Sequence, residues 1–297
     1  MTTVPLRTMT ALLAVLCYVG LLAAGQQPAS DVVRVKSRLV EVYATVYDGG
    51  GHYIDGLSRD RFQILEDGNP QPIATFETNV EKLSCAILLD TTGSMTATLP
   101  RVKNAVTRLI DALGPNDVVA IYSFDRQATL RQDFTPDKAA AKRAVLRLRA
   151  EGETALFDSI SQVAQEVAGQ PGKKALVIFT DGDDNSSLLN SSAAVVRAQN
   201  LGIPLYTIAE GEALQAPHLK KLLKQLSEST GGLAYEAKKA NDIEGIFHEI
   251  SRDLQHQYLI SYKPPPGNGP GKWRKIDVSI SGVRDYRIRA KQGYAIE

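Results

Sequence analysis

Residues 86–95 read AILLDTTGSM, an apolar run that ends in oxygen-bearing side chains: Asp90, Thr91, Thr92 and Ser94. A second apolar run, ALVIFTDGDDNSS, ends in Thr180, Asp181, Asp183 and Asp184, and a third stretch, EGETALFDS, offers Glu153 and Thr154 at the start of a helical pattern. A lone D-x-[ST]-x-S is ordinarily a solvated turn. Three oxygen-bearing loops, two of them at the ends of apolar runs, are different, because ligands in an open α/β sheet bind outside the carboxyl ends of its strands. Carboxylate and hydroxyl oxygens are hard donors suited to Mg²⁺, Mn²⁺ or Ca²⁺, and the set lacks the sulfur and imidazole that Zn²⁺ favours. Two carboxylates balance the charge of one divalent ion, and hydroxyls fill further positions without adding charge.

The elements needed to position these groups are legible in the periodicity. Between residues 82 and 256 short apolar strands (CAILLD, DVVAIYSF, ALVIFTD, IPLYTIA and a weaker GGLAYEA) alternate with helical patterns near 98–113, 137–149, 154–168, 190–201, 215–229 and 242–256. Continuous apolar strands alternating with amphipathic helices predict a doubly wound α/β fold with a mainly parallel sheet covered on both faces. ATLRQDFT follows IYSFDRQ too closely for a helical crossover and reads as an antiparallel edge strand. Outside this region the texture is β. VVRVKSRLVEVYATVYD alternates apolar and polar residues, and RFQILEDG pairs as a hairpin with PIATFE across DGNPQP. After residue 257 come QYLISY, the loop KPPPGNGPGK read as a solvated hairpin connection, WRKIDVSI and YRIRAKQGYAI. The β segments 31–78 and 257–297 are expected to form either one discontinuous β-sandwich or two separate units.

The three oxygen-rich loops, in this order on these strand ends, resemble the metal-ion-dependent adhesion site of von Willebrand factor type A domains, and the resemblance spans about 82–256. It implies that Asp90, Thr92 and Ser94 in D-T-T-G-S, Thr154 in GET and Asp181 in TDG surround one divalent cation, with Mg²⁺ first and Mn²⁺ or Ca²⁺ as alternatives. Thr92 stands where the family usually has serine; it keeps the hydroxyl and adds a methyl. Met95, Glu153, Gly182 and Asp183 are the corresponding candidates for a ligand-binding rim. Exported bacterial members of this type often carry β segments on both sides, with an EDG-containing run before and a GYY-like run after. The resemblance implies a protein-binding or adhesion module whose metal takes an Asp or Glu side chain from a partner protein. Two other expectations stay open beside it. One is a structural or assembly role in which the β domain makes the contacts and the metal site is degenerate or only stabilising; the other is a metal-dependent hydrolase.

The enzyme expectation has little in the chain to support it, so no catalytic residue is assigned. Thr92 occupies the place of the second acid in D-x-D-x-T phosphatases, and no G-x-x-x-x-G-K-[ST] phosphate loop occurs. His248–Glu249 lacks the second histidine of H-E-x-x-H, and His248 and His256 read as surface groups of the last helix; Ser94 lies outside any G-x-S-x-G context. The 297 residues carry 43% hydrophobic and 23% charged side chains with a formal net charge of +1, values of an ordinary globular chain with no basic excess to draw nucleic acid or an anionic membrane. ALLAVLCYVGLLAAG after Arg7 reads as a signal peptide over 1–25, so that the remaining chain is expected to be secreted or periplasmic without a membrane span. Cys85 is then the lone cysteine and reads as a small buried hydrophobe.

Overall fold

Strand β5 (Leu83–Asp90, LSCAILLD) is buried at every one of its eight positions. It is apolar throughout because both faces of its sheet are covered: Cys85, Ile87 and Leu89 point into one core layer, Ala86 and Leu88 into the other. The computed structural model describes residues 39–78, 82–182, 184–239, 242–266 and 271–296, and Arg38–Glu297 form one compact unit. The expected signal peptide and strand residues 31–38 lie outside the described residues, among which no helix is long and apolar enough to cross a membrane.

Four strands run parallel to β5: β6 (Val118–Phe124) on one side, and β8 (Lys173–Thr180), β9 (Leu205–Ala209) and β10 (Ala234–Glu236) on the other. The edge strand β7 (Ala128–Thr135) is antiparallel to β6, giving the order β10-β9-β8-β5-β6-β7. Helices α1 (Leu99–Ala112), α2 (Lys138–Leu146) and α6 (Asp242–Gln255) cover one face, through Val106, Val145 and Ile250 among others. Helices α3 (Leu156–Ala168), α4 (Ser191–Leu201) and α5 (Pro217–Thr230) cover the other, through Ile160, Val195 and Leu223. Local chemistry fixes the helix ends. Asn190 Oδ1 accepts the N–H of Ala193 at 2.9 Å and caps α4, and Asp137 accepts from Ala140 to cap α2. α5 begins at Pro217 and ends against Gly231, whose φ of 86° suits glycine alone among common residues.

The flanking strands β1 (Val40–Asp48), β2 (Phe62–Glu66), β3 (Asn69–Gln71), β4 (Ile73–Glu77), β11 (Tyr258–Tyr262), β12 (Trp273–Ile280), β13 (Tyr286–Ala290) and β14 (Gly293–Ala295) make two antiparallel sheets, ordered β13-β1-β11-β4 and β14-β12-β2-β3. Each sheet interleaves strands from before and after the α/β region, and Val42, Ile64, Ile260 and Ile276 meet in one core between them. Two sequence expectations need correcting. The hairpin partner of β2 is β3, across a two-residue turn at Asp67 and Gly68 with φ of 50° and 81°, whereas β4 (the PIATFE run) crosses to the other sheet and pairs with β11. A positive-φ Asp-Gly turn matches strand twist and closes the shorter hairpin. The Pro-rich connection likewise joins β11 and β12 in different sheets and is a crossover; the carbonyls of Pro265 and Pro266 are held by the Arg274 guanidinium, itself paired with buried Glu66.

The sandwich is fastened to the α/β region by buried polar groups. Lys174 Nζ meets Glu41 at 2.8 Å, and the Tyr43 hydroxyl accepts the Lys174 N–H at 3.2 Å. Asp253 near the end of α6 is fully buried, pairs with the Arg289 guanidinium from β13, and accepts the hydroxyls of Tyr47 and Tyr206.

Candidate metal centre

The sheet order places a topological switch between β5 and β8: the chain leaves β5 for β6 on one side and returns to β8 on the other. The loops after β5 and β8 therefore part at their carboxyl ends and open a crevice there. Asp90 closes β5 at this point and is fully buried. Its Oδ1 accepts the N–H of Thr92 at 2.9 Å and the Thr92 hydroxyl at 2.7 Å; its Oδ2 accepts the Thr180 hydroxyl at 2.8 Å. The Thr92 and Ser94 hydroxyls are 3.0 Å apart, and Ser94 Oγ donates to Asp181 Oδ1 at 2.9 Å. A continuous chain of oxygens thus runs from the buried end of β5 to the end of β8, with Ser94 as its exposed member.

The third loop closes on the same place. A Cβ at Gly182 would lie 3.8 Å from the Thr154 hydroxyl and 4.0 Å from the Ser94 hydroxyl, so Gly182 threads between them and keeps the space open. Thr154 is buried and its backbone is clamped: its N–H donates to Asn185 Oδ1 at 3.0 Å, and its carbonyl accepts from Asn185 at 3.0 Å and Ser186 at 3.2 Å. Asp184 accepts the N–H of Phe157 at 3.0 Å and so caps the first turn of α3. The first loop is anchored too, since the Thr91 carbonyl accepts from Glu151 at 2.6 Å and the Thr91 hydroxyl donates to Phe124 O at 3.0 Å.

The structure brings Asp90, Thr92, Ser94 and Asp181 into one hydrogen-bonded set with Thr154 beside it. The rim residues divide. Glu153 is exposed and pairs with Arg126 at 3.2 Å. Met95 is not on a rim: it is fully buried, because the 3-10 turn Gly93–Thr96 directs its side chain into the core layer under α1. Gly182 is buried between the hydroxyls, and Asp183 lies outside the described residues. His256 is partly exposed just past the end of α6, where it stacks on Tyr53 with centroids 4.2 Å apart and meets Asp55 at 2.8 Å. The sequence offers Thr180 only as a strand-end hydroxyl, with nothing to place it against Asp90, and Asn185 and Glu210 do not stand out in it as site residues. Asn185 sits in a run that reads as loop. Glu210, just past β9, is buried, meets Arg101 at 2.9 Å and leaves Oε2 without a partner among the described residues.

The donor set fits a hard divalent cation. Among the described residues no group of three or more His, Cys, Asp or Glu side chains is placed to hold a metal, so hydroxyls must complete any shell here, as in oxygen-only sites. Burial pushes the Asp90 carboxyl above its usual value against the lowering pull of the Thr92 and Thr180 hydrogen bonds. A positive charge in the crevice would offset that cost.

A family profile described as von Willebrand factor type A domain matches residues 85–249, more than half of the chain, and the chain belongs to that family. Among curated proteins it is 28% identical over 188 residues to the uncharacterized protein sll0103 of Synechocystis sp., covering 60% of this chain and 44% of that one. It is 20% identical over 224 residues to a UPF0353 protein of Mycolicibacterium paratuberculosis, covering 65% of each. The chain thus spans between 44% and 65% of these relatives' own lengths. Of solved structures, a von Willebrand factor type A protein from Catenulispora acidiphila superposes with a TM-score of 0.53 at 15% identity over 89% of this chain and 75% of that one. Such coverage reaches well beyond residues 85–249 into the flanking strands. Proximal thread matrix protein 1 from the mussel byssus, solved with a zinc-occupied MIDAS motif, gives a TM-score of 0.52 at 18% identity over 65% of this chain and 50% of that one. Both likenesses speak for the fold.

Proposed function

We propose that this chain is an exported, non-catalytic protein-binding module that uses a divalent cation to take an Asp or Glu side chain of a partner protein. The observation that carries the reading is the unbroken oxygen chain Asp90–Thr92–Ser94–Asp181 at the topological switch, with Thr154 alongside. Asp90, Thr92, Ser94, Thr154 and Asp181 would hold the ion, Mg²⁺ first, with Mn²⁺ and Ca²⁺ as alternatives. A bound cation would supply a Lewis-acidic position for the partner's carboxylate. Asp90 and Thr92 are buried and fixed by backbone-anchored loops, so they hold their geometry without a partner. Ser94 is exposed and gives access from solvent. Leu188, 97% exposed in the same loop that holds Asn185, is an apolar side chain open to a partner. A non-catalytic role is supported by the Ser94 hydroxyl, which donates to the Asp181 carboxylate and, among the described residues, hydrogen-bonds to no histidine of the kind that activates a serine nucleophile. Export is supported by the apolar run at residues 11–25.

Thermal unfolding in Mg²⁺, Mn²⁺, Ca²⁺, Zn²⁺ and EDTA, beside Ser94→Ala and Asp181→Asn, tests the reading; zinc is included because the byssus protein's motif took it. A cation at about 100 times its dissociation constant stabilises a fold by roughly 2.7 kcal/mol, a rise that both variants should lose. One observation favours a second reading: both Asp90 oxygens already accept hydrogen bonds, so the network can serve as a latch between β5 and β8. No response to any cation at millimolar concentration would favour the latch and a partner bound through the sandwich.

A further inference from the structure

Next to the candidate metal centre the surface turns strongly basic. A cleft of about 440 Å³ opens between edge strand β7 and helix α2, and its lining includes Arg131, Arg143, Arg147 and Arg149, with Glu151 as the carboxylate among them. Arg131 Nε donates to Ser123 Oγ at 2.7 Å, and Arg143 lies 3.8 Å from Asp137. Arg147 and Arg149 are exposed and pair with no carboxylate among the described residues. A further cation stands close by: Lys103 Nζ is tied to the carbonyls of Leu146 and Leu148, and burial, then the Arg149 charge, holds it below the usual lysine value. Like charges gathered this closely repel, and the chain as a whole is nearly neutral, so the concentration is local. All the basic groups lining the cleft are arginines, whose planar forks suit bidentate pairing with carboxylates.

The cleft is continuous with the metal centre through the backbone. Glu151 at its lip donates its N–H to Thr91 O at 2.6 Å, and Gly152 O accepts from Gly93 at 3.4 Å. A partner segment that places one carboxylate at Ser94 and Asp181 would lay its neighbouring residues over the strip 149–152 and into the arginines.

We propose that this arginine cleft is an acidic-peptide subsite, which takes Asp and Glu side chains flanking the carboxylate that a partner protein offers to the candidate metal centre. Its place in recognition rests on the reading under Proposed function; its affinity for acidic peptide does not need the cation. The test is fluorescence anisotropy of a labelled octaglutamate peptide with the full chain, in EDTA and in Mg²⁺, at several salt concentrations. Wild type should bind in EDTA with steep salt dependence, and Arg147→Glu with Arg149→Glu should weaken binding about tenfold or more. Both positions are exposed, and the milder Arg147→Gln with Arg149→Gln should fall between. Equal affinity of the reversed variant and wild type in EDTA would overturn the proposal. So would wild type that ignores the peptide but binds inorganic pyrophosphate, which would make the cleft a phosphate site. If arginine-dependent binding in EDTA stands while Mg²⁺ adds nothing to wild type or Ser94→Ala, the metal reading fails alone and the subsite holds.

Discussion

Asp253→Ala should be among the most destabilising single changes in this chain, and the structure says by how much. Asp253 is fully buried on α6, and Arg289, which it pairs with, keeps 14% of its side chain exposed. Burial on its own would lower the Arg289 pKa, but the Asp253 charge and its other partners outweigh it and hold the guanidinium above its usual value. Removing the carboxylate strands that cation in a site where it can only share Thr45, Tyr47 and the Gly231 carbonyl, at 3.0, 3.0 and 3.1 Å. The hydroxyls of Tyr47 and Tyr206 lose their acceptor as well. Breaking a buried pair from one side costs about 3–5 kcal/mol, much of a typical fold's whole stability. For a domain of this size that is a fall in Tm of roughly 6–20 °C. Replacing both partners by apolar residues, Asp253→Leu with Arg289→Met, should recover most of the loss, because no charge is then left alone. Urea unfolding of wild type, Asp253→Leu, Arg289→Met and the double variant forms the cycle, with Asp253→Ala measured beside it. A cost below about 1 kcal/mol for Asp253→Ala, or a double variant as unstable as the single, would refute the claim that this pair is what fastens sandwich to α/β region.

Gly232→Ala should cost about 3 kcal/mol or more in urea unfolding, since a Cβ there would sit 1.9 Å from the Leu205 carbonyl oxygen, a backbone atom that cannot turn away; a loss within experimental error would mean the α5–β10 connection is looser than described. Asn185→Ala removes the acceptor for the Thr154 N–H and should cost about 1 kcal/mol, and it should lower apparent cation affinity in the thermal titration while leaving Asp90 and Ser94 untouched. Cys85 is fully buried, and burial, then Asp117, pushes its thiol up to about 12; thiol reagents at neutral pH should label it only on unfolding, and rapid native labelling would contradict its place in the core.

Much of the α/β region was legible because its signals are local. The expected helix near 98–113 is observed as Leu99–Ala112, and that near 190–201 as Ser191–Leu201 behind the Asn190 cap. The edge strand ATLRQDFT was readable from the lack of room for a crossover. The sandwich was not, because strand pairing is a long-range choice. PIATFE directly follows strand β3, yet Ile73–Glu77 pairs with Leu259–Tyr262 almost two hundred residues away. The candidate site was legible in its carboxylates, Asp90 and Asp181, and its hydroxyls, Thr92, Ser94 and Thr154, but not in its supports. Met95 has the right spacing for a rim and the wrong chemistry, since a thioether next to a buried layer goes in. Thr180 reads as the polar end of a strand, and only the sheet register puts its hydroxyl against Asp90.

The two ends of the parallel sheet divide the work between them. The sandwich contacts cluster at the strands' amino ends: Tyr43 and Glu41 meet Lys174 at the start of β8, and Arg289 meets Gly231 just before β10. The oxygen network lies at the opposite ends, after Asp90 and Thr180. An eight-residue strand such as β8 separates them by roughly 23 Å at about 3.3 Å per residue, beyond the reach of any side chain. The junction's charges are paired with one another, Lys174 with Glu41 and Arg289 with Asp253, so little net charge faces the candidate site across that distance. Strands β5 and β8, buried along their whole length, are the mechanical link that remains, and close-packed cores of this kind shift as units. The sandwich thus joins the α/β region away from the carboxyl-end face, and the buried Asp253–Arg289 pair is one of the contacts that hold it there.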